Sequence, residues 1–452
     1  MEEKQSILAL HSVMVVFAYA PAGFGHLRVT EALYHGLPAG VAPILLGSQD
    51  TSIRAIHRMI SIHPISRKIM QWAQSGTPER LFTHSYRFFL EKKNKLLYQQ
   101  MVTLLDQRMH VPKTVLIIAT HFGLAHQLSV IKQKLEQERN IKVFLFVQVT
   151  DDSPQYIWYV PGADIIFVPS EKTKQQLIGY GKSANLPPVH FEVIPYPISP
   201  VLTQRLTSHE LEQRHNQVLP DTGSPIHVAI PISGAAVGIP FITKLITHLQ
   251  LFSDRFVMHV VAKDTAYTHE FLKIIQANHG VNLYVSTHDR EVVETYEQVY
   301  RQYPISLEIT KPSEQTFKAL CHPNQRGGSM LLFTDPVGQQ EYDNIDFLKR
   351  HKLLPTEQDQ QRMWSRSFHN LSLFPDHFEK IQLHAKQWRG LRLPPDPIHA
   401  ASFVWWGIEH HFFEYMMHFS PQEHTDIQYR ELQTTGVEQF WQKITKYVEK
   451  EI

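Results

Sequence analysis

"SVMVVFAYAPAGFGHLRVTEAL", residues 12–33, joins an apolar run, a turn that contains glycines and the beginning of a helical pattern. The apolar run is continuous rather than alternating, which is typical of a strand that is covered on both faces in a parallel sheet. Gly23 and Gly25 then turn the chain, and His26 stands where the helical pattern begins. This order predicts the first strand and helix of a doubly wound α/β domain.

The same alternation of apolar runs and helical patterns recurs along most of the chain. Further apolar runs lie at 114–120, 142–150, 164–170, 191–197, 226–233, 256–263, 281–287 and 329–336. Helical patterns separate many of these runs, an order that favours parallel sheets with helices on both sides. We therefore expect an α/β fold of two doubly wound, Rossmann-like domains that face a cleft. We also expect a helical insertion in the first domain and a helical C-terminal tail.

A polar segment without a strand signal, 201–224, separates the two series of strands. We predict an N-terminal domain over 1–200 with a helical insertion at 50–110, then a linker at 201–224 and a second domain over 225–355. Helical patterns interrupted by prolines follow. They predict a tail, 356–452, that packs back on both domains.

Composition excludes several classes of function. The 452 residues include 44 Lys and Arg against 43 Asp and Glu, so no global charge favours nucleic acid as a partner. The single cysteine, Cys321, excludes an internal disulfide and a multi-cysteine metal site. No apolar run approaches the ~20 residues that span a bilayer. The acidic start of the chain is unlike a secretory signal, so we expect a cytoplasmic protein.

The loop after the first strand is a candidate ligand-binding element, because open parallel sheets bind ligands at the carboxyl ends of their strands. It is not a Walker loop, and Arg28 occupies the third glycine position of a GxGxxG fingerprint. One interpretation is that His26 acts as a general base, since an ordinary imidazole pKa of ~6.5 lies near working pH. The alternative is that Gly23 and Gly25 only form the turn and His26 caps or packs the helix.

Two further stretches follow the opening motif in a fixed order: "VTDDSPQYIWYVPGADIIFVPSEKTKQQLIGYGK" at 149–182 and "VIPYPISP" at 193–200. With "GFGHLRVTEAL" they resemble the acceptor domain of the GT-B glycosyltransferases that include MurG, the monogalactosyldiacylglycerol synthases and the processive diacylglycerol glucosyltransferases. The resemblance implies catalytic roles for His26 and Asp151, and an acceptor loop formed by Gly23, Gly25 and Asp152. Turn formation after the strand is the alternative role for both aspartates.

The stretch "EITKPSEQTFKALCHPNQRGGSMLLFTDPVGQQEYDNIDFLKRHKLL", residues 308–354, resembles the donor-binding segment of the same family. Gly234 and Gly238 bracket a turn into a helix, which suits a pyrophosphate. The alternative for this segment is that Asp335 caps the helix and the acidic first turn is solvated. The expected donor-binding residues are Gly234, Gly238, Lys311, Thr316, Gln340, Glu341 and Asn344.

The resemblance implies a hexosyltransferase that moves a sugar from a nucleotide-diphosphate donor to an acceptor hydroxyl, on a lipid or cell-envelope precursor. It implies no metal and no cofactor other than the nucleotide sugar, and it leaves the oligomeric state open. Ser313 and Glu314 stand where the family has two glycines, and Ala319 stands where it has a glutamate. The alternatives are therefore an inactive ligand-binding or scaffold protein, or a hydrolase or epimerase of nucleotide sugars.

Two aromatic segments also contain basic or metal-ligating side chains. "RLFTHSYRFFLEKKNKLLY", residues 80–98, mixes basic and aromatic side chains, which suits peripheral contact with the inner face of the plasma membrane. Packing of its aromatics on the sheet is the alternative. His410, Glu414 and His418 recur at intervals of four, a spacing at which one helix face reaches a metal. The surrounding aromatics favour a core helix there.

Overall fold

The computed structural model describes residues 6–20, 24–47, 76–232, 236–372, 375–419 and 426–452. The chain divides into two compact units. Unit one comprises Met1–Ser199 and Arg430–Ile452, and unit two comprises Pro200–Tyr429. The predicted site residues Gly23 and Gly234 lie outside the described residues, as does the part of the predicted insertion before residue 76.

Each unit contains one six-stranded sheet whose paired strands are all parallel. The strands of unit one are β1 (Val13–Tyr19), β2 (Ile44–Gly47), β3 (Thr114–Ala119), β4 (Lys142–Gln148), β5 (Ile165–Val168) and β6 (Phe191–Val193). Those of unit two are β7 (Ile226–Pro231), β8 (Phe256–Lys263), β9 (Val281–Ser286), β10 (Leu307–Thr310), β11 (Met330–Phe333) and β12 (Gly390–Arg392). The predicted fold class of two doubly wound, Rossmann-like α/β sheets is confirmed.

Helices connect the strands and cover the sheets. The described helices are α1 (Phe24–His35), α2 (Gly76–Lys92), α3 (Lys95–Asp106), α4 (Phe122–Arg139), α5 (Glu171–Ser183), α6 (Pro200–Thr203), α7 (Ser208–Gln217), α8 (Ile239–Phe252), α9 (His269–Gln276), α10 (Asp289–Gln302), α11 (Gln339–Arg350), α12 (Glu357–Ser367), α13 (Pro375–Ala385), α14 (Pro397–Glu409), α15 (Phe412–Met417), α16 (Asp426–Glu431) and α17 (Gly436–Glu451). All six residues of β3 are buried, as a continuous apolar run predicts.

The strand order of each sheet reverses at one point. Unit one has the order β2-β1-β3-β4-β5-β6, so its chain connections diverge between β1 and β3. Unit two has the order β12-β11-β10-β7-β8-β9, and its connections diverge between β7 and β10. In open α/β sheets such a switch point leaves a crevice at the carboxyl ends of the two strands, where ligands bind.

Three short strands do not appear in the sequence pattern: β2, β10 and β12. They contain four, four and three residues and, unlike the equally short β5, β6 and β11, they do not lie in an apolar run of seven or more residues. β12 lies inside the predicted helical tail and adds an edge strand to the sheet of unit two by pairing with β11. Gly390 begins it, and a Cβ there would lie 2.8 Å from the ring of Phe333.

The polar segment 201–224 holds helices α6 and α7 within unit two. A capping box between Thr207 and Glu210 begins α7. Arg214 is fully buried, and its guanidinium donates hydrogen bonds to the carbonyls of Pro323, Gln325 and Arg326. Such bonds satisfy a charge that burial would otherwise make costly, so α7 is anchored to unit two rather than exposed as a free linker.

The C-terminal segment after residue 355 contributes to both units. Its residues up to Tyr429 belong to unit two, and the last helix, α17, belongs to unit one. In that helix the Trp441 Nε1 atom donates to the carbonyl of Leu33, 2.9 Å away. The same indole packs edge-on against Phe17 of β1, with ring centroids 6.0 Å apart. The end of the chain is therefore part of the first core.

We expect two glycines of α5 to respond oppositely to a methyl group. At Gly181 a Cβ would lie 2.3 Å from the ring of Tyr159, which is buried and donates through its hydroxyl to the carbonyl of Pro187. At Gly179 nothing lies within 4 Å. Gly181→Ala should lower the free energy of unfolding by about 1–3 kcal/mol through overpacking, and Gly179→Ala should raise it by up to about 1 kcal/mol. Urea denaturation of both variants measures this, and equal effects would contradict the packing described here.

Candidate functional site

His26 lies at the switch point of unit one, in the first turn of α1 and directly after β1. Its Nδ1 atom is 2.7 Å from the carbonyl oxygen of Thr120, the residue that follows β3. A carbonyl can only accept, so Nδ1 carries the proton and Nε2 of the neutral ring carries the lone pair. The half-buried imidazole is therefore oriented as a potential proton acceptor at Nε2.

Three threonines hold this histidine in place. The Thr150 hydroxyl lies 3.2 Å from His26 Nδ1, and the Tyr196 hydroxyl donates to the carbonyl of Thr150 over 3.1 Å. Thr30 donates to the His26 carbonyl over 2.8 Å, and its hydroxyl lies 2.7 Å from that of Thr120. Thr150 follows β4, so residues after β1, β3 and β4 converge as the parallel sheet requires.

An aromatic wall stands beside the imidazole. The rings of His121, Phe122 and Trp158 have centroids 4.8, 6.3 and 6.2 Å from that of His26. His121 stacks on Phe122, and its Nδ1 accepts a hydrogen bond from the backbone of Gly123 at the start of α4. An apolar wall of this kind strengthens electrostatic interactions at the histidine by excluding water.

The two neighbouring aspartates, Asp151 and Asp152, have different surroundings in the structure. Asp152 is fully buried, and its Oδ1 accepts hydrogen bonds from the hydroxyls of Ser170 and Thr173 at the start of α5. Asp151 is half-buried, and its Oδ2 lies 3.5 Å from the Thr150 hydroxyl that also approaches His26. The geometry therefore gives Asp152 a structural task in holding α5, and it leaves Asp151 near the histidine. Gly25 lies in the first turn of α1, half-buried.

A pocket of about 190 Å³ lies at the switch point of unit two. It is lined by residues at the carboxyl ends of β7, β10 and β11, by the start of α8 and by two prolines after β12: Pro231, Ile232, Val237, Gly238, Phe241, Ile242, Ile309, Thr310, Lys311, Thr334, Asp335, Val337, Pro394 and Pro395. Gly238 precedes α8 with a φ of +84°, a left-handed conformation that glycine adopts without strain. The turn thus presents the N-terminus of α8 to the pocket.

Lys311 lines this pocket, and Glu341 holds it. The Lys311 Nζ atom is 2.8 Å from Glu341 Oε1, while Glu341 Oε2 accepts from the backbone of Val337 over 2.7 Å. Asn344 is buried, and its Nδ2 lies 3.4 Å from the carbonyl of Pro312. Both side chains therefore fasten α11 to the segment after β10. Glu341 compensates the Lys311 charge, and Glu341 itself is not among the residues that line the pocket.

The remaining predicted donor residues lie apart from the pocket lining. Thr316 is fully buried in the 3₁₀ helix Glu314–Leu320, where its hydroxyl has no hydrogen-bond partner within the described part of the chain. Gln340 is half-buried in the first turn of α11. Of the seven expected donor residues, Gly238 and Lys311 line the pocket described here, and Gly234 lies outside the described residues.

A buried charged cluster that sequence reasoning missed supports the pocket. Glu308, inside β10, accepts hydrogen bonds from the hydroxyls of Tyr296 and Tyr300 and from the ammonium of Lys318. Lys318 comes from the 3₁₀ helix that follows Lys311, so the pair ties this helix to its strand. Burial, and then the charge of Glu308, raise the pKa of Tyr300 well above its ordinary value. The signal in the sequence is a single charged residue, Glu308, between the apolar residues Leu307 and Ile309.

The basic and aromatic segment divides into buried and exposed residues. Arg87 is buried and donates to the carbonyl of Tyr159, so it takes no part in the exposed basic face of the segment. Phe88 and Phe89 are 56% and 43% exposed, and the ammonium groups of Lys92 and Lys93 lie 4.2 and 4.4 Å from their ring centroids. Among the residues that the structure describes, no helix has both the length and the apolar character needed to cross a membrane.

Several solved structures are similar to this chain although their sequence identity to it is low. A glycosyltransferase from Rickettsia africae has 10% sequence identity and a TM-score of 0.45, over 98% of this chain and 100% of that chain. MnaA of S. aureus, solved with UDP, has 11% identity and a TM-score of 0.45, over 96% and 97% of the two chains. MurG of Acinetobacter baumannii has 10% identity and a TM-score of 0.36, over 75% and 84%. No protein-family model and no curated protein matches the chain.

His126 contacts the backbone beside Trp158, which belongs to the aromatic wall. It is buried in α4, and its Nε2 atom lies 2.8 Å from the carbonyl of Ile157, the residue before Trp158. Burial, and then the charge of Arg87, lower the pKa of His126 to about 3. The folded protein therefore keeps this ring neutral at a pH where an unfolded histidine, with its pKa near 6.5, binds a proton.

This difference predicts that unit one loses stability as the pH falls. The unfolded state binds a proton below a pH of about 6.5 that the folded His126 does not bind until about pH 3, so the loss begins near the upper value. Between about pH 7.5 and 5.0 the contribution of His126 should amount to about 2 kcal/mol of unfolding free energy. Urea denaturation of the wild type and of His126→Gln at both pH values measures it. An unchanged pH dependence in the variant would contradict the prediction.

Proposed function

We propose that the protein transfers a hexosyl group from a nucleoside diphosphate sugar to an acceptor hydroxyl. The proposal rests on the positions of two motif residues, one in each unit. The motif histidine of unit one and the motif lysine of unit two both lie at the switch point of their sheets, where open α/β sheets bind ligands. The resemblance of the surrounding motifs to GT-B glycosyltransferases supplies the reaction class.

In this proposal unit one supplies the base. His26 Nε2 accepts the proton of the acceptor hydroxyl while Nδ1 keeps its hydrogen bond to the carbonyl of Thr120. The carbonyl dipole stabilises the imidazolium that forms, and general base catalysis of this kind contributes typically 10²–10⁴-fold in rate. Asp151, close to Thr150, adds a negative charge that favours the same protonated state.

Unit two holds the donor through its diphosphate. The N-terminus of α8 follows Gly238 without a side-chain cap, so its positive dipole end and the backbone N–H groups of its first turn, apart from Pro240, are suited to phosphate oxygens. Lys311 adds a charged donor to the lining of the same pocket. These groups stabilise the leaving diphosphate without a metal. A volume of about 190 Å³ is below the ~300–1,000 Å³ of complete ligand pockets, so the pocket receives a part of the donor rather than all of it.

The acceptor in this proposal is a lipid at an anionic membrane surface. Phe88 and Phe89 are exposed on α2, and the positive charges of Lys92, Lys93 and Lys95 lie at its end and just beyond it. Exposed aromatics insert at the headgroup boundary, and neighbouring lysines are attracted to anionic lipids. The protein would then act from the cytoplasmic side as a peripheral membrane protein.

The first test of the transferase uses His26→Ala and Lys311→Met against a panel of nucleotide sugars. His26→Ala should lower kcat by about 10²–10⁴-fold with donor affinity unchanged, because the base touches the acceptor alone. Lys311→Met should weaken binding of UDP, the probe for the diphosphate, by at least about tenfold, because it also leaves the Glu341 charge uncompensated. Steady-state kinetics and calorimetry measure the two effects.

Lys349→Met is the matched control, since Lys349 pairs with Glu357 at the far end of α11. It should leave both quantities unchanged. Equal turnover by the wild type and His26→Ala would remove the histidine from the mechanism. Nucleotide binding without turnover of any donor would overturn the transferase and support the ligand-binding alternative, for which Ser313, Glu314 and the buried Ala319 argue.

The lipid proposal predicts binding to vesicles that contain phosphatidylglycerol. Replacing both aromatics, Phe88→Ser with Phe89→Ser, should lower the partition coefficient by at least about tenfold, because each ring loses its burial in the interface. Ile274→Ser is the control, since Ile274 is 56% exposed on α9 of unit two. Sedimentation with vesicles measures the partition. An equal loss in the control, or no binding by the wild type, would contradict this proposal.

A further inference from the structure

Two histidines and a glutamate converge in unit two, on the surface formed by α7 and α15. His215 belongs to α7, Glu414 to α15, and His418 follows α15 directly. One side-chain nitrogen or oxygen from each lies within 4.8 Å of the others. Among the residues described by the structure, the lining of the pocket at the β7/β10 switch point includes none of the three.

The hydrogen bonds inside this cluster are incomplete. The His215 Nε2 atom is buried and has no hydrogen-bond partner among the described residues. It stands 3.9 Å from Glu414 Oε1, too far for a hydrogen bond. A desolvated ring nitrogen without a partner is unfavourable unless another group satisfies it.

A neighbouring histidine fixes the orientation of the Glu414 carboxylate. His411, at the start of α15, lies with its Nδ1 atom 2.7 Å from Glu414 Oε2. This bond engages one carboxylate oxygen and leaves the other towards His215. Partners of this kind orient the carboxylate ligands of metal sites.

We propose that His215, Glu414 and His418 bind a zinc ion. Two imidazoles and one carboxylate are a ligand set that zinc accepts, whereas magnesium and calcium prefer oxygen ligands alone. In a tetrahedral zinc site neighbouring ligand atoms lie about 3.3 Å apart. The separations in the cluster, 3.9 Å between His215 and Glu414 and at most 4.8 Å within the set, exceed that value, so binding would require side-chain rotations that bring the three groups together.

The ion links two helices that are distant in sequence. It joins α7, in the polar segment that enters unit two, to α15, near the end of that unit. Three protein ligands leave one coordination position for water, in contrast to the four protein ligands of closed structural sites. The exposed His418 side chain lies at the solvent side of the cluster.

The sequence spacing suits a different set of three residues, in a segment whose aromatics favour a core helix. His410, Glu414 and His418 are spaced as one helix face, but α14 ends at Glu409 and His411 begins the next helix with a φ of +61°. The helix is therefore interrupted, and the His410 ring packs against Trp406 instead. His215, far earlier in the chain, takes its place.

Calorimetric titration of the metal-free full chain with Zn²⁺ alone tests the proposal. The wild type should bind one equivalent tightly, and Glu414→Gln and His418→Asn should each weaken that equivalent by more than about 100-fold, the upper effect of losing a supporting residue. Both variants keep the fold, since one is isosteric and the other changes an exposed side chain. His288→Asn is the control, because His288 lies 3.3 Å from Glu291 and the described residues add no third ligand there, so this variant should bind as the wild type does.

Co²⁺ in place of Zn²⁺ gives a readout of geometry. A tetrahedral site produces intense visible absorption, and we expect it in the wild type and in His288→Asn but not in Glu414→Gln. Two results would overturn the proposal. One is tight Zn²⁺ binding of equal strength in the wild type, Glu414→Gln and His418→Asn, which would place the ion elsewhere among the 28 histidines. The other is the absence of a tight equivalent in the wild type.

Discussion

The hydrogen bond from His26 Nδ1 to the carbonyl of Thr120 joins the turn after β1 to the end of β3. Those strands lie side by side although the helical pattern of α1 and the whole of β2 separate them in the chain. The bond exists because parallel strands end at one edge of the sheet, and because the strand order reverses there. It makes one ring nitrogen a donor and the other a proton acceptor. The chemistry proposed for unit one follows from this assignment.

In unit two the corresponding edge of the sheet carries different groups. Its pocket presents a helix N-terminus and the ammonium of Lys311, both suited to an anion, whereas the edge in unit one presents the His26 ring oriented by the Thr120 carbonyl. Lys311 is held in place by Glu341, and the segments on its two sides are joined by the buried pair of Glu308, on β10, and Lys318, on the following 3₁₀ helix. A buried ion pair adds little net stability, but losing one partner leaves an uncompensated charge. The pair therefore constrains the conformation of the segment that ends at the pocket.

Sequence patterns predicted the long elements and the motif residues, but not the contacts between them. The nine apolar runs of at least seven residues each contain a strand, whereas β2, β10 and β12 do not lie in apolar runs of that length. His26 was found because it follows a strand and precedes a helix. Its partner at Thr120 is a backbone carbonyl, and every residue has one, so no side-chain pattern reveals it. Asp151 and Asp152 look alike in the sequence, and only the packing of α5 assigns the second to a structural role.

Nitrogen-15 NMR of the His26 ring tests the central claim most directly. The resonances are assigned by their loss in His26→Ala, and the spectrum is recorded near pH 7.5. We expect a protonated Nδ1 and an unprotonated Nε2, since the Thr120 carbonyl can only accept. A ring protonated at Nε2 alone, or one that averages between the two tautomers, would contradict it.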